Sequence, residues 1–64
     1  MKVYELNVWE GRSHSNFLFT SKAVATEEAE NLRSCKDVTE VWLRVWKAGS
    51  GQMYIETNEP LWQK

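Results

Sequence analysis

The side chains able to do covalent or acid–base chemistry are few and scattered. His14 is the single histidine, set between Ser13 and Ser15 with Arg12 nearby. A general base works only with a group that orients it, a nucleophile opposed to it in space and donors for the developing oxyanion. Glu10 to Asn16 signals none of these and reads as a polar loop carrying a solvated histidine. Cys35 is the single cysteine and reads as partly buried packing near a helix end, since no histidine adjoins it to hold a thiolate. One Cys and one His fall short of the roughly four ligands that zinc takes. Glu27, Glu28 and Glu30 splay over the solvent side of a helix, without the spacing of a calcium loop. Gly49-Ser50-Gly51 is too short to cradle a phosphate and precedes a strand, not a helix. The expectation is a chain that is not an enzyme and uses no metal or cofactor.

What remains is aromatic. Four tryptophans in 64 residues are a heavy load of the largest side chain, and two of them stand in Glu40 to Lys47, Glu-Val-Trp-Leu-Arg-Val-Trp-Lys. Strict two-residue alternation of β-branched and aromatic residues, without Gly or Pro, predicts a strand. Successive side chains then point to opposite faces, so Val41, Leu43 and Val45 share one side and Trp42, Arg44 and Trp46 the other. The aliphatic row needs a core and the Trp-Arg-Trp row needs a second layer or a partner, which places this strand in the middle of a sheet.

The remaining elements must supply the rest of that sheet. Lys2 to Glu10 alternates, with Tyr4, Leu6 and Val8 on one face and Val3, Glu5, Asn7 and Trp9 on the other. Phe17 to Thr20 predicts a short antiparallel strand, with Val8 opposite Phe17 and Leu6 opposite Phe19. From Ser21 to Cys35 the period lengthens, Ala25, Ala29 and Leu32 recurring at four and three residues, as in an amphipathic helix with small residues inward. Ser21 and Thr26 each suit the cap. Ser21 is preferred because a helix from there runs ~20 Å at 1.5 Å per residue and matches the sheet. The acidic residues in its first half suit the positive end of its dipole. Ala48 to Gln52 predicts a hairpin loop and Met53 to Thr57 the last strand, with Asn58, Glu59 and Pro60 ending it and residues 58–64 forming a C-terminal tail. The chain reads as one small α+β domain over residues 1–64, ββαββ, a four-stranded antiparallel sheet of order 2-1-3-4 with a right-handed crossover and one helix on one face.

Pairing the second hairpin through its loop sets Val45 opposite Ile55, Leu43 opposite Thr57, Trp46 opposite Tyr54 and Arg44 opposite Glu56, with Trp9 near Trp42. The helix-free face then carries Trp9, Trp42, Trp46 and Tyr54 around Arg44 and Glu56, with Trp62 either folded over it or free for another chain. Such a face either caps the sheet of a small protein or serves as a contact surface, because Trp, Tyr and Arg dominate binding hot spots and contiguous exposed apolar patches are rare on monomers.

A net charge of −1 and a pI near 5.7 give no pull toward phosphate backbones or anionic membranes. The lone cysteine, the absence of a long apolar run and the lack of a signal pattern after Met1 point to a cytoplasmic home. The reading is a non-enzymatic protein-binding module, an inhibitor or adaptor docking through Trp9, Trp42, Arg44, Trp46, Tyr54, Glu56 and Trp62. By analogy of size and layout alone it is like the small phage and mobile-element proteins that block host machinery. Single-stranded nucleic acid stacked on the same aromatics, and a homodimer of two sheets packed face to face, are the alternatives.

Overall fold

In the computed structural model, which describes residues 1–64, the chain forms β1 (Lys2–Glu10), β2 (Ser13–Phe19), α1 (Lys22–Leu32), β3 (Glu40–Gly49) and β4 (Gln52–Gln63). The strands make one antiparallel sheet in the order β2-β1-β3-β4, as the sequence predicts. The aliphatic rows of the two central strands close the core. Leu6, Val8, Val41, Leu43 and Val45 meet Ala25 and Ala29 of α1, with Val38 and Trp62 completing the cluster. The two alanines are fully buried, and their small side chains allow α1 to lie close over β1 and β2.

Ser21 is the helix N-cap: its side-chain oxygen accepts from the Val24 N–H at 3.3 Å. Thr26 lies inside the helix, where its hydroxyl donates to the Lys22 carbonyl. The expected dipole match fails, because the first turn holds no acidic residue and Glu27, Glu28 and Glu30 lie further along. The helix stops at Leu32, three residues short of Cys35, which is therefore exposed rather than partly buried.

The first hairpin is tighter than a polar loop. Only Gly11 and Arg12 lie between paired Glu10 and Ser13, and Gly11 has φ +64°, the positive φ that a two-residue hairpin turn asks of its first central residue. His14 and Asn16 thus belong to β2. Leu6 pairs with Phe17 and Tyr4 with Phe19, a shift of two residues from the expected register that leaves every side chain on its expected face. β1 meets β3 with the same kind of offset, so that Asn7 opposes Trp42 and Glu5 opposes Arg44, while Trp9 stands opposite Glu40.

β4 departs most from expectation. It does not stop at Thr57; residues 58–63 continue the ladder instead of leaving as a tail, and the Lys64 N–H donates to the Thr39 carbonyl at 2.9 Å. Pro60 is tolerated because β4 is an edge strand, with one row of amides outside the sheet. Two register shifts against β3, between Val45 and Trp46 and between Val41 and Trp42, each give β4 an extra residue. Since strand side chains alternate, each shift reverses which face the following residues take. The turn itself is tighter than the expected Ala48–Gln52 loop, Gly49 pairing with Gln52, so the hairpin starts one residue out of the expected register and the first shift adds another. Trp46 pairs with Ile55, Val45 with Thr57, Arg44 with Asn58 and Leu43 with Glu59, none of them as expected. The second shift sends Trp62 to the helix side, opposite Val41, where it is 6% exposed and its Nε1–H donates to the Ala29 carbonyl at 2.8 Å.

Trp62 is accordingly a core residue. Trp62→Ala should cost about 3–5 kcal/mol in urea denaturation, through the cavity and the lost bond to α1, whereas Trp62→Phe should cost clearly less. A tail residue would show no loss in either variant.

Candidate binding face

The face of the sheet away from α1 is built from the alternate rows of β1, β2 and β3, so its members are fixed by the same period that fills the core. At its centre is Glu5, 5% exposed, opposite Arg44. A buried carboxylate survives only when its oxygens are satisfied. Here the Asn16 amide donates to Oε2 at 2.9 Å and the Trp46 indole N–H donates to Oε1 at 2.8 Å, with the Arg44 guanidinium 3.6 Å from the same oxygen. Burial pushes the Glu5 carboxyl upward. The hydrogen bonds from Asn16 and Trp46, the charge of Arg44 and the nearby Asn7 amide together outweigh it and hold the group below the usual carboxylate value.

The indoles surround this centre. Trp9 stacks on His14 with ring centroids 4.3 Å apart and planes 27° from parallel, and His14 Nε2 donates to Asn7 Oδ1 at 2.9 Å in the Nε2–H tautomer. Trp42 donates its indole N–H to Glu40 Oε2 at 2.7 Å. Arg44 lies 6.0 Å from the centre of the Trp46 ring, a cation–π distance. Trp9, Trp42, Arg44 and Trp46 are each partly exposed. Between the Trp9–His14 stack and Trp42 runs a groove of about 380 Å³, also bordered by Asn7, Arg44, Glu40 and Asn58. Two donors beside it, Asn7 Nδ2 and Arg44 Nε, are buried and hydrogen-bonded to nothing in the chain. A second hollow of about 320 Å³ lies beside Trp46, walled by Val3, Leu18 and Met53.

Of the residues the sequence nominates, Trp9, Trp42, Arg44 and Trp46 share this face. Tyr54 does not: Gly49 pairs with Gln52 across a two-residue Ser50-Gly51 turn in place of the expected Ala48–Gln52 loop, which sets Tyr54 opposite Lys47 on the helix side. Glu56 falls at the first register shift and pairs with Lys2 at 3.0 Å instead of Arg44. Trp62 is in the core. The residues missed are Glu5, Asn7, His14 and Glu40, which tie the indoles together. Glu5 and Asn7 carried a signal, being polar residues on the row of β1 that shares its side with Trp9. His14 was hidden by reading its strand as a loop. No family model matches the chain, and no curated protein or solved structure does either.

The lowered Glu5 fixes a sign. A carboxyl depressed in the folded state adds stability above its unfolded pKa, near 4.5, and that stability is lost as pH falls through the folded value. Glu56, lowered by the hydrogen bond and charge of Lys2, acts in the same direction, but this exposed pair is screened by salt. In chemical denaturation at high salt, acidification below pH 4.5 should therefore destabilise the native protein, and Glu5→Gln should flatten that dependence. An equal slope in both proteins would mean that Glu5 is not the buried acid.

Proposed function

We propose that the chain is a non-enzymatic protein-binding module, an inhibitor or adaptor, that docks through the helix-free face of its sheet. One observation carries the reading: Trp9, Trp42 and Trp46 stand partly exposed around Arg44 on a sheet face that has no second layer. These are the residue types that supply most binding energy in protein interfaces, and here they lie on strands, where their positions are fixed before a partner arrives. Hydrogen bonds from the indole N–H groups of Trp42 and Trp46 to Glu40 and Glu5 restrict the rings further. The cost of ordering such a surface on binding is correspondingly small.

The alternative of stacked, unpaired bases has less support. The face offers Arg44 as its central cation, but Glu5 lies against that charge and Glu40 borders the groove, so phosphates meet carboxylates there.

The test separates binding from folding. Trp46 holds Glu5 and is a poor probe, whereas Trp9 and Trp42 form the walls of the groove. The intact protein and a Trp9→Ser/Trp42→Ser variant are used side by side to retain proteins from host extract, with denaturation midpoints measured for both. A retained partner should be lost at least tenfold in the variant while the midpoint changes little. Equal loss of folding and retention would return the indoles to a structural role. Quenching of tryptophan fluorescence by short oligonucleotides at low salt, reversed at high salt, would favour the nucleic-acid reading instead.

A further inference from the structure

The two edges of the sheet are treated differently by the sequence. Open edges present unpaired N–H and C=O groups to any passing strand, and proteins guard them with charges, prolines and bulges. β4 has all three: Glu56 and Glu59, Pro60, and two register shifts against β3. β2, Ser13-His14-Ser15-Asn16-Phe17-Leu18-Phe19, has no Lys, Arg, Asp, Glu or Pro, and its pairing with β1 runs without interruption over all seven residues. It is also apolar where it is open, with Leu18 68% and Phe17 48% exposed.

What fits this edge is written in its own sequence. Antiparallel pairing of a strand with a second copy about a two-fold axis sets the strand against its own reverse, so the match is good only where the sequence reads alike in both directions. Around Leu18 it does: Asn16-Phe17-Leu18-Phe19-Thr20 runs polar, Phe, Leu, Phe, polar. In that register Leu18 faces its own counterpart on the helix-free side, and Phe17 faces the counterpart of Phe19 on the helix side. No like charges are opposed along β2.

We propose that β2 is a self-association edge, joining two copies through antiparallel β2 strands centred on Leu18 into one eight-stranded sheet. Both helices then lie on one side and both tryptophan faces on the other, so the surface assigned to partner binding stays open. The overlap is short, and the dimer is weak and concentration-dependent.

Sedimentation equilibrium from about 10 µM to about 1 mM, the range in which so small an interface associates, tests this directly. The apparent mass should rise from 7.5 kDa toward twice that value, and amide exchange along β2 should slow with it. Leu18→Lys, which sets a charge against its own image, should hold the protein monomeric with an unchanged fold; Leu18→Ile should still dimerise. A monomer at every concentration would overturn the proposal. A dimer that survives Leu18→Lys but is lost in Trp9→Ser/Trp42→Ser would overturn it too, since the copies would then meet face to face. So would β2 amides protected only when an extended peptide of another sequence is added.

Discussion

The strand β3 imposes a constraint that the rest of the molecule answers: both of its faces carry large side chains, and the chain has only one helix to cover them. The aliphatic row takes the helix side, where Val41, Leu43 and Val45 are buried in one cluster with Ala25, Ala29 and Trp62 and their apolar surface is removed from water. The Trp-Arg-Trp row is left to the other side. It is held there by a polar network running from Glu5 to Asn16, Arg44 and Trp46, and separately by the Glu40–Trp42 bond and the contacts of His14 with Asn7 and Trp9.

That network explains how a single-layered sheet can keep aromatic residues on its open side without collapse. Each indole is anchored at an edge, by a hydrogen bond at Trp42 and Trp46 and by stacking at Trp9, while part of it still meets solvent. A buried carboxylate at the centre costs solvation free energy and is tolerated because three groups point at it. Removing any of them leaves the Glu5 carboxylate less well satisfied, so Glu5, Asn16, Arg44 and Trp46 depend on one another. Two buried donors with no partner, Asn7 Nδ2 and Arg44 Nε, add to the cost of holding the surface in this form.

The strands, the helix with its Ser21 cap and the sheet order were legible because they follow from period and from chain connectivity. Face membership in the first three strands was legible for the same reason: an error of two residues in register, as between β1 and β2, moves no side chain across the sheet. The bulges in β4 were not legible. The second sets Trp62 opposite Val41, where it bonds α1, a long-range contact that no local feature of Met53 to Gln63 announces. Glu56 and Trp62 were misassigned through these two shifts, and Tyr54 through the two-residue Ser50-Gly51 turn, which offsets the hairpin by one residue before either shift. The tight Gly11-Arg12 turn was obscured by the polar composition of β2, which suits an edge strand as well as a loop.

Hydroxyl-radical footprinting of the free protein, read at each tryptophan, tests most directly whether the helix-free side is an open surface. Trp9, Trp42 and Trp46 should be oxidised at substantial rates while Trp62 is protected to the level of the folded core. Protection of all four rings, or oxidation of Trp62 ahead of the others, would contradict the assignment of this face as the surface the molecule presents.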